Sequence, residues 1–130
     1  MFLKDTKIQK KISNVLILLF AAVILFHCCV VFGLVPYSIV WGGRLRTIRE
    51  MYIFELISIS LNISFIYIVL IRRGTLHKNL TPKFGRLALL ILSVLFSFNT
   101  AGNLLAVDSL ETILFTPITF LLALLCLLLA

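Results

Sequence analysis

The residues that could do chemistry in this chain are a few polar side chains set within long apolar runs. Glu55 and His27 are ionisable, and Asn62, Asn99 and Asn103 carry amides. Such groups are expensive in hydrocarbon, so they mark either contacts between helices or a functional site. Glu55 and His27 could act as acid and base on a lipid-like substrate. Their spacing matches no specific catalytic pattern.

Recognisable motifs for catalysis or metal binding are missing from the sequence. There is no nucleophile elbow, zinc motif or Gly-rich phosphate loop. One histidine and one glutamate fall short of the three or four ligands of a metal site. The three cysteines, Cys28, Cys29 and Cys126, lie in apolar runs and are interpreted as small buried side chains. We therefore predict no metal and no cofactor, and the sequence favours a non-enzymatic role.

The composition points to a membrane protein. Hydrophobic residues make up 62% of the 130 positions, against ~45–50% in soluble domains. The net charge is +7, which in a soluble chain would suggest nucleic acid. Here the basic residues cluster at the ends of apolar runs, so we expect membrane lipids as partners and no nucleic acid.

Four apolar runs occupy about residues 12–34, 51–71, 84–107 and 112–130. Each has the ~20 residues that a helix needs to cross a bilayer. The first run is longer than the apolar region of a signal peptide, which has ~7–15 residues. The sequence thus predicts one transmembrane domain over residues 1–130, an all-α four-helix bundle with up-down-up-down order.

The residues at the run ends carry helix signals. Thr47 and Glu50 fit a capping box at the start of the second helix. Gly74 follows two arginines at the end of that helix. Pro82 suits the first position of the third helix. Pro117 predicts a mild kink early in the fourth helix.

The distribution of basic residues predicts the orientation. The N-terminal segment and the region 72–86 together hold nine Lys and Arg residues. The loops at the other end of the helices hold three, Arg44, Arg46 and Arg49. By the positive-inside rule, both termini lie in the cytoplasm.

The polar residues of all four runs fall in the predicted outer half of the membrane. At ~1.5 Å per residue, Asn62 comes nearest to the middle. Met51, Glu55, Ser58 and Asn62 share one helical stripe. We predict a polar pocket that opens to the outer face and is centred on Glu55. Its predicted members are His27, Trp41, Arg44, Glu55, Asn62, Asn99, Asn103 and Thr116.

The connection at residues 35–45 is too apolar for a free loop. Tyr37 and Trp41 suit an interfacial aromatic belt, and two consecutive glycines permit a sharp turn with positive φ. We expect a short lid over the outer end of the bundle. By sequence distance, Arg44 and Arg46 are the nearest partners for the Glu55 carboxylate.

These features leave several functions open. A binding or accessory protein is favoured, because the polar cluster opens to one side only; its pocket would receive a small ligand, a lipid headgroup or a partner helix. A channel or transporter subunit would require a homo-oligomer. A lipid-modifying enzyme would depend on Glu55. The cluster could also be purely structural, because polar side chains hold helices together in lipid.

The chain resembles a group of small bacterial four-helix membrane proteins that is functionally uncharacterised. The resemblance lies in residues 35–45, in Phe54, Glu55 and Asn62, and in residues 99–103 and 115–117. It implies a multi-pass protein of the bacterial inner membrane and implies no activity.

Overall fold

The bundle consists of four α-helices in a computed structural model that describes residues 6–76, 82–106 and 109–130. The helices are α1 (Thr6–Val31), α2 (Ile48–Arg72), α3 (Pro82–Leu104) and α4 (Ser109–Leu129). Each is long and apolar enough to cross a membrane. The predicted all-α four-helix bundle is confirmed.

The start and end of α1 differ from the predicted run. Among the described residues, the helix already includes Thr6–Lys11, ahead of the predicted residue 12, because lysine is a good helix former, and Lys7, Lys10 and Lys11 stay exposed. It ends at Val31, where the chain turns and the Leu34 amide donates to the Cys29 carbonyl at 2.9 Å.

Local signals set both ends of α2. The Thr47 side chain accepts from the Glu50 amide at 3.1 Å, as the capping box predicts. The Glu50 carboxylate accepts from the Arg46 amide at 2.8 Å, one residue before the amide that a complete capping box would use. At the other end, Gly74 has φ +75° and its amide donates to the Ile71 carbonyl at 2.9 Å.

The core lies between the four helices. Leu16, Phe20, Leu89, Leu122 and Cys126 are fully buried there. The Phe20 ring packs against those of Phe65 and Phe96, with ring centroids 5.6 and 5.8 Å apart. The outward faces carry many exposed Leu, Ile and Phe side chains. These faces contact lipid in a membrane.

The helices associate as two hairpins. The α1–α2 and α3–α4 pairs pack more extensively than the α1–α4 and α2–α3 pairs. Between α3 and α4, the buried Ser93 hydroxyl donates to the Ala123 carbonyl at 2.9 Å. Ser97 and Ala101, which follow Ser93 on α3 at four-residue spacing, are exposed. Pro117 lies within α4, which continues through it.

The two ends of the bundle differ in character. We call the end that holds the α1–α2 connection the loop end, and the opposite end, with its lysines and arginines, the basic end. At the basic end, Arg72 donates through Nε to the Leu129 carbonyl at 3.2 Å, and Arg73 donates to Asn14 Oδ1 at 2.8 Å. These two arginines join α2 to α4 and to α1.

Candidate functional site

A buried carboxylate lies at the loop end of the bundle. The Glu55 side chain is fully buried, and its Oε2 lies 2.5 Å from Nδ1 of His27. Its other oxygen, Oε1, accepts from the indole N–H of Trp41 at 3.2 Å. Arg44, expected as a partner, is exposed. Imidazole and indole nitrogens therefore satisfy this carboxylate.

The hairpin brings His27 and Glu55 to one level. His27 lies four residues before the end of α1 at Val31, and Glu55 lies seven residues after the start of α2 at Ile48. The Met51, Glu55, Ser58 and Asn62 stripe is buried as a whole, so α2 turns its polar face toward the other helices.

The α1–α2 connection places Trp41 beside the Glu55 carboxylate. It contains two 3₁₀ turns, Tyr37–Ile39 and Trp41–Gly43, and its Val40 and Leu45 side chains are buried. Gly42 has φ +68°, as predicted, and Trp41 itself has φ +56°. Positive φ is strained for a bulky residue. The Trp41 indole is held by its bond to Glu55 and by packing on Phe54, at a centroid distance of 4.9 Å.

A cavity of about 240 Å³ lies between the helices beside this carboxylate. All four helices and the α1–α2 connection contribute to its wall. Most lining side chains are Phe, Leu, Val and Ile. The polar and amphipathic lining residues are His27, Trp41, Ser58, Asn62, Asn99, Asn103 and Thr119.

The predicted pocket residues fall into three groups: residues that line the cavity, Glu55, which is bonded to two of them, and two residues that lie outside the cavity wall. Five of them line the cavity: His27, Trp41, Asn62, Asn99 and Asn103. Glu55 is buried and bonded to two lining residues.

Arg44 and Thr116 lie outside the cavity wall. The Thr116 hydroxyl is buried and has no hydrogen-bond partner among the described residues. Ser58 and Thr119 line the cavity but were not predicted members. Ser58 shares the stripe of Glu55, so helical periodicity could have identified it.

Some polar groups of the wall are paired within the bundle. Asn62 donates to the Ser58 carbonyl at 2.8 Å. Thr119 Oγ1 accepts from Asn103 at 3.3 Å and from Thr100 at 3.0 Å. These contacts are of the kind that hold membrane helices together.

Other polar groups of the wall have no such pairing. The hydroxyl of Ser58, the side-chain amide of Asn99 and Nε2 of His27 make no hydrogen bond to any part of the chain that the structure describes. All three residues line the cavity. They leave hydrogen-bonding capacity beside the cavity.

The exposed lining residues locate the opening of the cavity. Leu61 of α2 and Leu95 of α3 are 47% and 40% exposed, and Asn99 is also exposed. One opening therefore lies at the side of the bundle, between α2 and α3, and the Trp41 side chain, 40% exposed, forms a second exposed part of the wall at the loop end. At the loop end, buried Val40 and the Trp41 indole line the same cavity.

The site can move a proton and form hydrogen bonds. A carboxylate that holds Nδ1 of a histidine orients the ring and leaves Nε2 available as donor or acceptor. Within residues 6–76, 82–106 and 109–130, no three His, Cys, Asp or Glu side chains come together. His27 and Glu55 thus form a two-residue pair.

The fold and site define a class, namely a multi-pass membrane protein with four spanning helices. Comparison of the chain with protein-family models, curated proteins and solved structures gave no match. The resemblance to a bacterial family stays a prediction.

Proposed function

We propose that this chain is a small membrane-embedded binding or accessory protein that takes one amphipathic ligand into the cavity beside His27. The observation that carries the proposal is the set of unpaired polar groups on the cavity wall, at Ser58, Asn99 and His27.

A purely structural cluster would pair its polar groups with each other. Asn103 and Thr119 are paired in this way, whereas Ser58 and Asn99 are not. An unsatisfied polar group away from water costs about 1–3 kcal/mol. A ligand with hydrogen-bonding groups would recover part of this cost, and hydrocarbon would not.

A pore through the single bundle is disfavoured by the core. Phe20, Phe65 and Phe96 pack ring against ring on the basic-end side of the cavity. Phe20 is fully buried, and the other two are nearly so. This cluster of phenylalanine rings therefore separates the polar wall of the cavity from the basic end.

The resemblance to small bacterial membrane proteins implies the location, and the distribution of basic residues predicts the orientation. We place the protein in the bacterial inner membrane, with both termini in the cytoplasm and the loop end at the outer surface. The nine basic residues on the predicted cytoplasmic side support this orientation.

A lipid-modifying enzyme is the second candidate, and the His27–Glu55 pair favours it. A histidine fixed through Nδ1 by a carboxylate can act as general base through Nε2. Loss of a lipid-modifying activity in a folded Glu55→Gln variant would support this role. Turnover that Glu55→Gln leaves unchanged would exclude it.

Native mass spectrometry of the protein, released from membranes in a mild detergent, tests the binding role. Ser58→Phe fills the cavity, whereas Ser60→Phe places the same ring on an exposed position of the same helix. We expect a bound mass on the wild type and on Ser60→Phe, and loss of that mass in Ser58→Phe.

Circular dichroism and elution volume establish that both variants are folded, and Ser58→Val replaces Ser58→Phe if the larger ring prevents folding. A wild-type protein without a bound mass would contradict the proposal. Equal occupancy in folded Ser58 and Ser60 variants would also contradict it.

A further inference from the structure

We infer that the ligand is a membrane lipid, and that one acyl chain of this lipid enters the cavity sideways between α2 and α3. The inference rests on the proposed binding function and specifies its ligand and its route of entry. It follows from the position of the opening, from the order of polar and apolar residues along the cavity, and from the cavity volume.

The opening lies at a depth where only hydrocarbon is present. Leu61 follows the start of α2 by thirteen residues, or about 20 Å along the helix. Leu95 precedes the end of α3 by nine residues, or about 14 Å. With a hydrocarbon core ~30 Å thick, both leucines lie well inside the membrane. A molecule at this opening therefore comes from the bilayer.

Most polar residues of the cavity wall lie toward the loop end, although Asn62, fourteen residues from the start of α2, reaches the depth of Leu122. Asn103, Asn99 and His27 lie one, five and four residues from the loop-end termini of their helices, which is about 2–8 Å. Leu122 lies thirteen residues from the start of α4, or about 20 Å, and Phe65 also lines the deep part. This order matches a lipid whose polar group is near the membrane surface.

The unpaired groups suit the polar part of that lipid. The Asn99 amide can donate to ester or phosphate oxygens, and Nε2 of His27 can do so when both ring nitrogens carry a proton. Asn99 is exposed beside the opening, so a headgroup can reach it while the acyl chain lies deeper. Deep in the cavity, Phe65, Phe96 and Leu122 offer apolar contacts.

The cavity volume limits what enters. About 240 Å³ is below the ~300–1,000 Å³ of pockets for drug-sized ligands. A cavity of about 150 Å³ already holds benzene. Part of one acyl chain fits this space, so the rest of the lipid would remain in the bilayer.

Photo-crosslinking in vesicles tests the inference. The full chain is reconstituted into phosphatidylethanolamine and phosphatidylglycerol, with a small fraction of phosphatidylglycerol carrying a mid-chain diazirine. After illumination, peptide mass spectrometry maps the adducts. We expect adducts on Phe65, Phe96 or Leu122, which are 9%, 5% and 1% exposed and cannot be reached by lipid outside the bundle.

Two variants narrow the opening, and a third serves as their matched control. Leu61→Phe and Leu95→Phe enlarge side chains at the opening, whereas Leu56→Phe enlarges an exposed residue of α2 that does not line the cavity. We expect the first two to lose most of the cavity adducts and the control to retain them. Adducts on outward-facing residues such as Ile91 should persist in all three variants.

Adducts confined to outward-facing residues of the wild type would overturn the lipid assignment. The binding proposal would survive that result if native mass spectrometry still shows a non-lipid mass that Ser58→Phe removes. If cavity adducts form equally in the narrowed variants and the control, the lateral route is wrong. Absence of both the cavity adducts and a Ser58-dependent mass would overturn both proposals.

Discussion

At the level of single residues, Glu55 is a fully buried acidic residue held by two other side chains. Its carboxylate is fully buried and accepts from Trp41 while Nδ1 of His27 lies at 2.5 Å. Removing one partner of a buried hydrogen-bonded pair leaves the other unsatisfied, whereas replacing both partners by apolar groups of the same shape can be nearly neutral. The His27–Glu55 pair can therefore be dissected by single and double substitution.

Glu55→Leu should lower the free energy of unfolding by about 1–3 kcal/mol, because the His27 and Trp41 nitrogens lose their acceptor. Unfolding by SDS in mixed micelles, followed by circular dichroism, measures the change. The His27→Phe/Glu55→Leu double variant should be less destabilised than the sum of the two single variants, with a coupling of about 0.5–3 kcal/mol. Additive effects would mean that the two side chains do not stabilise each other.

At the scale of elements, the connections determine how the helices are placed. The α2 helix ends where Gly74 takes up positive φ, and the α1–α2 connection folds back through two 3₁₀ turns. The end of α2 could be predicted from the sequence, because a glycine after two arginines is a common helix end. The positive φ of Trp41 could not be predicted from the sequence, because contacts with Glu55 and Phe54 hold the tryptophan in this conformation.

Gly74→Ala and Gly102→Ala form a matched pair of substitutions. Neither new methyl group would meet an atom within 4 Å, but Gly74 has φ +75°. A left-handed conformation costs an L-residue about 1–2 kcal/mol, so Gly74→Ala should be destabilising. Gly102 lies inside α3, where alanine is favoured by roughly 0.5–1 kcal/mol. SDS unfolding measures both changes, and equal shifts would show that backbone conformation does not determine the effect.

Across the whole molecule, most basic residues lie at one end and the buried carboxylate with its cavity lies at the other. The basic end carries exposed lysines and arginines, including Lys10, Lys11 and Arg73. The loop end carries the carboxylate and the cavity. This asymmetry predicts one orientation in an anionic membrane.

Reporter fusions in a bacterial host measure that orientation. Alkaline phosphatase fused after Ala130 should be inactive, because the C-terminus is predicted to be cytoplasmic. The same enzyme inserted after Ser38, in the α1–α2 connection, should be active. The opposite pattern would overturn the predicted topology and place the loop end in the cytoplasm.

The spanning helices and the buried face of α2 follow from the amino-acid pattern alone. Runs of about 20 apolar residues have few alternatives to a membrane helix, and four such helices are present. A carboxylate, a hydroxyl and an amide on one stripe had to turn inward, because lipid solvates none of them. Glu55, Ser58 and Asn62 are all buried.

Which polar groups contact each other depends on how the helices pack. Arg44 was the nearest cation to Glu55 along the chain, yet it is exposed, and the imidazole of His27 takes its place. An arginine at a helix end can keep its charge in water or among headgroups, whereas pairing with a buried carboxylate requires desolvation. The α1–α2 register brings His27 to the level of Glu55, and the spacing of α2 and α3 opens the cavity sideways. Both depend on packing between helices, which local sequence patterns do not encode.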